Sequence, residues 1–282
     1  MLCAMRIEFV KMQGLGNDFF VFDSPTTAPG DRLDKATLRA IADRRTGVGF
    51  DQALMIEAPH DAASRAFYRI FNADGGEVEQ CGNGARCVAA LLHSRAPELG
   101  RDFTLGSPGG TVRAHVREDH SVSVEMGAPD FEPKSLPMRA REAAALYALR
   151  TDAGDLEFGA VSVGNPHVVI EVADVDSAPV ERVGAALGSH ADFPRRTNVG
   201  FMQIVDRGNI RLRVFERGVG ETRACGTGAC AAVAIGRKRG ALDAMVRVEL
   251  PGGAAQVSWE GPGQPLWLTG PATKVFTGSI EI

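Results

Sequence analysis

The chain lacks several features that would place it at once in a common class. It has no apolar run near the ~18 residues that a membrane-spanning helix requires. It has no excess of lysine and arginine, and its formal net charge of −4 argues against binding to nucleic acid. Residues 1–8 contain no sustained apolar leader. We therefore expect a cytoplasmic protein with neither nucleic acid nor a membrane as partner.

The five cysteines lack the spacing of a secreted disulfide framework, and their number is odd. In a reducing cytoplasm all five, Cys3 included, are expected to be thiols. The remaining four form a Cys-x5-Cys pair (Cys81 and Cys87) and a Cys-x4-Cys pair (Cys225 and Cys230), not the Cys-x2-Cys pair of most zinc ribbons. A structural zinc site is thus disfavoured but stays open as an alternative, and we expect no metal and no cofactor.

The chain does contain an internal repeat. Residues 71–87 and 215–230 each carry a Cys-Gly-x-Gly-Ala run, and the two cysteines are separated by 225 − 81 = 144 positions. At this offset the identical residues of the first copy are Phe71, Gly76, Glu77, Cys81, Gly82, Gly84, Ala85 and Ala90. Gly164-Asn165 also repeats Gly16-Asn17 at offset 148, and Arg195–Gln203 matches Arg44–Gln52 at seven of nine positions at offset 151. Three matches in the same order indicate a duplicated half.

The predicted elements follow this duplication. The first half begins with a strand, glycine turn and strand over residues 6–22, followed by a helix over 34–45, and each Cys-Gly-x-Gly-Ala run leads into a largely apolar helix. Three prolines between residues 129 and 137 mark the best domain boundary. We predict one domain over 1–126, joined by a returning C-terminal strand over 271–282, and a second over 127–270.

Cys81 and Cys225 are therefore both predicted at the start of a helix. The free N–H groups and positive dipole end of a helix N-terminus favour a thiolate there and could also bind a substrate carboxylate. A small buried residue at a tight turn would explain one such cysteine equally well. Two at repeat-equivalent positions favour the chemical interpretation. Nucleotide binding by the Gly-x-Gly turns is disfavoured because neither a Gly-Lys-Ser/Thr loop nor a full Gly-x-Gly-x-x-Gly follows a strand.

The repeat also differs between its copies. Asn72 of the first copy is replaced by Glu216, and Phe19 is replaced by His167. A histidine and a glutamate near two thiols could hold one as thiolate and the other as thiol. Alternatively, His167 could cap a strand and Glu216 could pair with a neighbouring arginine. Two acid–base groups of equal pKa suit racemisation or epimerisation, which needs a base on one face of a carbon and an acid on the other.

Seven motifs together resemble one family, the diaminopimelate epimerases. They are Gly-Leu-Gly-Asn-Asp-Phe (14–19), Phe-Asn-Ala-Asp-Gly (71–75), Cys-Gly-Asn-Gly-Ala-Arg-Cys (81–87), Gly-Asn-Pro-His (164–167), Thr-Asn-Val (197–199), Glu-Arg-Gly (216–218) and Ala-Cys-Gly-Thr-Gly (224–228). The resemblance implies an α/β fold of the α+β roll type. Two pseudo-symmetric domains, each a mixed, largely antiparallel sheet around a central helix, would hold the active site between them.

The resemblance also implies a function and a set of site residues. The function is cofactor-independent epimerisation of LL-diaminopimelate to meso-diaminopimelate, for lysine and peptidoglycan precursors, by a homodimer. Cys81 and Cys225 would be the acid–base pair, with His167 and Glu216 tuning the thiols. The implied substrate-binding residues are Asn17, Gln52, Asn72, Gly82, Asn83, Asn165, Asn198, Glu216, Arg217, Gly226 and Thr227. Two rivals remain: a proline racemase-like enzyme, for which Arg217 would be superfluous, and a non-catalytic binding protein for an amino acid or a metal.

Overall fold

The structure, a computed structural model, describes residues 6–23, 33–139 and 142–282. Cys3, predicted to be a thiol, lies outside these residues. The chain forms two compact units, one comprising Met1–Val124 with Gly270–Ile282 and the other Glu125–Thr269. The first unit thus contains both ends of the chain, and the second is one continuous segment.

The first unit is a sheet with two helices and a short 3-10 helix at Pro97–Leu99. Numbered along the whole chain, its strands are β1 (Arg6–Gly14), β2 (Asn17–Asp23), β3 (Gln52–Glu57), β4 (Ser64–Asn72), β5 (Glu77–Val78), β6 (Asp102–Ser107), β7 (Gly110–Val116), β8 (Val122–Glu125) and β18 (Thr273–Glu281); its helices are α1 (Lys35–Ala42) and α2 (Gly82–Arg95). The strand order is β18-β1-β2-β3-β4-β6-β7-β8, with β5 also on β4. The pairs β2–β3 and β4–β6 are parallel and the others antiparallel.

The second unit repeats this plan, with a short 3-10 helix at Pro133–Ser135. Its elements are β9 (Tyr147–Thr151), β10 (Gly154–Ser162), β11 (Pro166–Glu171), α3 (Val180–Gly188), β12 (Asn198–Asp206), β13 (Asn209–Glu216), β14 (Gly220–Thr222), α4 (Gly226–Lys238), β15 (Met245–Leu250), β16 (Gly253–Trp259) and β17 (Leu266–Gly270). The order is β9-β10-β11-β12-β13-β15-β16-β17, with β14 on β13. Again two pairs are parallel, β11–β12 and β13–β15.

Each sheet curves around one helix. In the first unit α2 contacts β1, β2, β3 and β7, and in the second α4 contacts β10, β11, β12, β13 and β16. Both helices are rich in alanine and glycine and are buried over most of their length. Small side chains allow strands to approach a helix from several sides, which explains why these helices lack a polar face. The predicted α/β fold, with two pseudo-symmetric units and mixed, largely antiparallel sheets, is confirmed.

A second helix covers the outer face of each sheet. Asp34 caps α1, where its carboxylate accepts a 2.8 Å hydrogen bond from the backbone N–H of Thr37. Helix α1 buries Leu38 and Ile41 against aromatic side chains that include Phe20. In the second unit the apolar face of α3 packs against a comparable cluster of core residues. Helices α1 and α3 thus cover part of the outer face of each sheet, while strands such as β7 and β15 keep one face exposed.

Strand register corrects one part of the predicted repeat. In the first unit Ala53 of β3 pairs with Phe71 of β4, and in the second Val199 of β12 pairs with Phe215 of β13. Phe71 and Phe215 are equivalent residues of the repeat, at offset 144. Their strand partners, Ala53 and Val199, are therefore also equivalent, at offset 146. The match of Arg44–Gln52 to Arg195–Gln203 at offset 151 is therefore wrong as a structural correspondence. The ladder, not the local identity, defines equivalent positions.

Candidate active site

Cys81 is the N-cap residue of α2. Its backbone is extended, and its Sγ accepts a hydrogen bond from the backbone N–H of Gly84 at 3.4 Å. The side chain is half-buried. The helix dipole and this N–H both favour negative charge at the sulfur. Gly82 follows as the first helical residue, so this sulfur lies at the helix N-terminus that the sequence predicts.

Two amide side chains lie next to Cys81. The Oδ1 atom of Asn17 is 3.9 Å from Sγ of Cys81 and accepts a 3.3 Å hydrogen bond from Nδ2 of Asn83. Nδ2 of Asn17 donates in turn to the carboxylate of Asp51 at 3.1 Å. Because a carboxylate can only accept, Asp51 fixes the orientation of the Asn17 amide and turns Oδ1 towards Cys81.

Asp51 belongs to a cluster of charged side chains that the sequence reasoning missed. Asp18 accepts hydrogen bonds from Nη1 and Nη2 of Arg44, at 3.0 and 2.7 Å, and its carboxylate is 2.6 Å from Nζ of Lys11. Arg44 also reaches Asp51 at 2.8 Å. Burial alone would raise the pKa of Asp18, but the hydrogen bonds from Arg44 and Lys11 outweigh it and hold that pKa well below its usual value. The adjacency of Asn17 to Asp18, and of Asp51 to Gln52, was the available signal.

Two further predicted residues of this unit form a pair. Nε2 of Gln52, at the start of β3, donates a 2.9 Å hydrogen bond to Oδ1 of Asn72 at the end of β4. The two residues are directly opposed in the antiparallel ladder, which explains the contact. The pair is half-buried, so it places an amide surface at the end of these strands.

Cys225 is the N-cap residue of α4, with extended backbone like Cys81, and Gly226 is the first helical residue. Its side chain is buried, and Sγ lies 3.5 Å from Oγ1 of Thr227. Gly228 is required here because a Cβ at this position would be 2.9 Å from a Val214 methyl group and 3.3 Å from the Cys225 sulfur. The sulfur therefore packs directly against the first turn of the helix.

A carboxylate acts on Cys225. Burial, and then the negative charge of Glu216, raise the pKa of the Cys225 thiol well above its usual value, while the hydroxyl of Thr227 acts in the opposite direction. Glu216 lies at the end of β13, where its Oε1 accepts a 2.5 Å hydrogen bond from the hydroxyl of Thr222. Thr222 was not among the predicted site residues, although it stands in the strand that pairs with β13. The surroundings of Cys225 thus favour the protonated thiol.

His167, the second residue of β11, is fully buried. Its Nε2 is 3.0 Å from Oδ1 of Asn165 and 3.0 Å from Oγ1 of Thr227. Burial, and then the nearby charge of Arg217, lower the pKa of His167 to about 3. The imidazole is therefore neutral near pH 7, and it contacts Thr227 as a hydrogen-bonding group rather than as a cation.

Asn198 and Arg217 lie beside this histidine. Oδ1 of Asn198 accepts the backbone N–H of Arg217 at 2.9 Å, and its Nδ2 donates to the Pro166 carbonyl at 3.1 Å. The Arg217 side chain is exposed and donates to the carbonyl of Arg195 at 3.0 Å. These bonds hold Asn198 in a single amide orientation and place the Arg217 guanidinium at the surface of this unit.

The predicted site residues thus divide between the units. The first unit brings Asn17, Cys81 and Asn83 into one cluster, and the second brings Asn165, His167 and Thr227 together with Cys225. Cys87 and Cys230 are fully buried in their helices, as expected for core residues, and burial raises the pKa of Cys87 to about 12. Within the described ranges, no group of three or more histidine, cysteine, aspartate or glutamate side chains is arranged to hold a metal ion. Nor does any helix there have the length and apolar character needed to cross a membrane.

Several solved structures have a fold similar to that of this chain. A hydroxyproline epimerase from Agrobacterium vitis, solved with trans-4-hydroxy-L-proline, superposes with a TM-score of 0.71 at 18% identity, over 98% of this chain and 93% of its own. A phenazine biosynthesis protein of the PhzF family from Bacillus anthracis gives 0.67 at 17% identity, over 99% and 100%. A predicted epimerase from Pseudomonas aeruginosa gives 0.64 at 16% identity, over 97% and 99%. At such identities the likeness establishes the fold.

The fold and the family match place this chain in the isomerase/epimerase superfamily. The family model described as diaminopimelate epimerase matches residues 9–132 and 159–275, which is most of the chain. The chain belongs to the diaminopimelate epimerase family.

Proposed function

We propose that this protein interconverts LL- and meso-diaminopimelate by abstracting the α-proton on one face and returning a proton on the other. The observation that carries the proposal is the repeated cysteine N-cap: Cys81 and Cys225 begin the buried central helices of two units with the same strand order. A pair of thiols can exchange the roles of base and acid between the forward and reverse reactions. The family match supports the choice of reaction and substrate.

In the mechanism we propose, the two cysteines start in different states. Cys81 accepts an N–H and lies at a helix N-terminus, so it is suited to be the thiolate, while burial and Glu216 keep Cys225 protonated. The Cys81 thiolate removes the α-proton, and the C–H electron pair passes to the α-carbon and the carboxylate. The Cys225 S–H bond then supplies a proton to the opposite face. After turnover the proton sits on Cys81, and the reverse reaction uses the same groups with exchanged roles.

The N-terminal turns of α2 and α4 provide the binding elements of this proposal. The free backbone N–H groups at Gly82-Asn83 and at Gly226-Thr227 would stabilise the charge that develops on the substrate carboxylate. Asn17, Asn72, Asn165 and Asn198 supply amide donors and acceptors, and Gln52 holds Asn72. No cofactor enters these steps, since base, acid and carboxylate site all come from the chain.

Arg217 is the residue we propose for substrate choice. Diaminopimelate carries a second amino-acid group far from the reacting carbon, and a guanidinium can bind the carboxylate of that group. Arg217 is exposed directly after β13, whereas Glu216 faces Cys225. Proline and hydroxyproline, the latter bound by a structural relative, have no such distal group.

The decisive experiment is incubation in deuterated water, followed by mass spectrometry and chiral separation. We expect one α-deuterium per turnover with LL- or meso-diaminopimelate, and none with L-proline or trans-4-hydroxy-L-proline. Exchange only with the proline substrates would replace the proposal with a proline racemase-like function, and no exchange with any substrate would contradict enzymatic epimerisation. Arg217→Lys serves as a matched variant: it should raise KM for diaminopimelate more than it lowers kcat.

We further propose a cytoplasmic homodimer. A mechanism that depends on two thiols suits a reducing compartment. Strand β18 supports association: among the described strands it pairs with β1 alone, and its Val275 and Phe276 are 55% and 46% exposed. An unpaired edge with apolar side chains favours pairing with another chain. Sedimentation should give twice the monomer mass, and Phe276→Asp should shift the protein to monomers. A Phe276→Asp variant that remains dimeric would contradict dimerisation through the edge of β18.

A further inference from the structure

His167 has an unusual set of neighbours for a neutral histidine. Nε2 has three polar contacts, to Asn165 Oδ1 at 3.0 Å, Thr227 Oγ1 at 3.0 Å and Asn198 Nδ2 at 3.3 Å. Nδ1 is buried and has no hydrogen-bond partner among the described residues. This asymmetry determines which nitrogen carries the proton.

The proton of the neutral ring belongs on Nε2. A proton on Nδ1 would be a buried N–H without an acceptor, which is costlier than a buried lone pair without a donor. A proton on Nε2 is instead accepted by Asn165 Oδ1 and Thr227 Oγ1. One hydrogen on Nδ2 of Asn198 donates to the Pro166 carbonyl at 3.1 Å. The 3.3 Å contact of Nδ2 with Nε2 is longer than the two 3.0 Å contacts with oxygen acceptors, which therefore decide the tautomer.

The protonated Nε2 in turn orients the hydroxyl of Thr227. Oγ1 accepts from Nε2 of His167 at 3.0 Å and from Nδ2 of Asn165 at 3.4 Å. A hydroxyl oxygen has two acceptor lone pairs, so both are occupied and its own proton must point elsewhere. The remaining polar neighbour is Sγ of Cys225 at 3.5 Å. The O–H of Thr227 is thereby directed at the sulfur.

We propose that Thr227 is a positioning residue whose hydroxyl, held by His167, donates a fixed hydrogen bond to Cys225 and stabilises its thiolate against the carboxylate of Glu216. When the Cys225 thiol gives its proton to the substrate carbon, the new thiolate finds a donor already in place. The inference rests on the proposed function only in that Cys225 is taken as the proton donor. The groups facing this sulfur are Thr227 on α4, Glu216 at the end of β13 with Arg217 beyond it, and His167 on β11, which reaches it through Thr227.

The first unit contains a natural contrast. Asn83 stands at the position equivalent to Thr227, and Phe19 at the position equivalent to His167. Nδ2 of Asn83 donates to Oδ1 of Asn17 at 3.3 Å, and Asn83 has no hydroxyl to donate to a sulfur. The chain from imidazole through hydroxyl to sulfur is therefore specific to Cys225, and Cys81 serves as an internal control.

The test follows the titration of Cys225 by NMR of protein labelled with ¹³C at the cysteine Cβ, with Cys225→Ser assigning the signal. Glu216→Gln serves as parent, because removing the carboxylate brings the thiol into an accessible pH range. Adding Thr227→Val should raise the Cys225 midpoint by about one pH unit, the size expected for a hydrogen bond to a charged group. Adding Thr227→Ser should leave it unchanged, and adding His167→Leu should raise it in the same direction as Thr227→Val.

Equal midpoints in the parent and Thr227→Val proteins would overturn the proposal, as would an equal shift of the Cys81 signal, which would indicate a general change of structure. The Ser variant guards against misfolding of the Val variant, because it retains the hydroxyl at the same position. No substrate is present in this titration, so the deuterium experiment can fail while the titration succeeds, and the reverse.

Discussion

The two cysteines begin equivalent helices, yet different side chains surround them. The amides of Asn17 and Asn83 lie beside Cys81. The carboxylate of Asp51 belongs to the same hydrogen-bond network but contacts Asn17 and is linked to Cys81 only through it. Beside Cys225 lie a carboxylate and a hydroxyl directly. The two units share their strand order and the helix start, whereas different residues at a few strand ends give the two sulfurs different polar neighbours.

The largest expected effect comes from removing either sulfur. Cys81→Ala and Cys225→Ala should each lower kcat/KM for diaminopimelate by about 10³-fold or more, because each deletes an acid–base group of the proposed mechanism. Cys87→Ala is the matched control, since Cys87 is buried in the core of α2. Near wild-type activity in either of the first two variants would refute a two-thiol mechanism.

Glu216→Gln should have the next largest effect. It removes the negative charge that raises the Cys225 pKa, so that pKa should fall towards its ordinary value. Burial still favours the thiol, and a thiol at its ordinary pKa is protonated at pH 7, so the fall in kcat/KM should appear at alkaline pH, where Cys225 loses its proton at a lower pH than in wild type. A pH–rate profile checks this, and an unchanged profile would show that Glu216 does not separate the two thiols.

His167 should make the stability of the protein depend on pH. Its pKa falls from about 6.5 in an unfolded chain to about 3 in the folded protein. Between these two pH values the unfolded state binds more protons than the folded state. The free energy of unfolding is therefore unaffected by His167 above about pH 6.5 and decreases as the pH falls towards 3. The slope is at most about 1.4 kcal/mol per pH unit.

Urea unfolding between pH 7 and pH 4 measures this dependence. The stability of His167→Gln should depend less on pH than that of wild type over this window. Parallel curves for wild type and His167→Gln would show that the buried imidazole does not titrate as described.

The smallest expected effect is that of Asp51→Asn. An amide at this position can donate as well as accept, so it would no longer force Nδ2 of Asn17 to face it. Asn17 could then turn its Oδ1 away from Cys81, which would remove the acceptor for the S–H that forms when Cys81 takes up the α-proton. We expect kcat/KM to fall by about fivefold to tenfold, equivalent to one hydrogen bond. Asp61→Asn, in a surface turn, is the control. Wild-type kcat/KM in Asp51→Asn would show that the charged cluster around Asp51 does not affect Cys81.

Sequence patterns predicted the elements whose signal is local. The Gly-x-Gly-Ala runs and the alanine-rich segments after them identified the starts of α2 and α4, and Asp34 identified that of α1. Strand β6 was not predicted, since three of the six residues of Asp102–Ser107 are polar and a fourth is glycine. Its pairing with β4 and β7, rather than its own pattern, makes it a strand.

The site was predictable as a set of residues but not as a set of contacts. Asp51 reaches Asn17 from 34 positions away, and Thr227 reaches His167 from 60. Such partners depend on strand register, and a shift of one residue in the register moves every side chain of a strand to the opposite face of the sheet. The burial of His167, and with it the neutral imidazole, follows from the same packing. Sequence identity also misaligned Arg44–Gln52 with Arg195–Gln203. Strand β3 begins at the last residue of the first segment, whereas β12 begins at Asn198, in the middle of the second.

The return of the C-terminal strand orders the synthesis of the protein. The second unit is one continuous segment, so every residue of it has been made before β18 is translated. The first unit is mostly made before the second, but β1 lacks its partner β18 until the second unit has been translated. Because domains fold as units during synthesis, Cys225 can reach its buried position before β18 completes the sheet of the Cys81 unit.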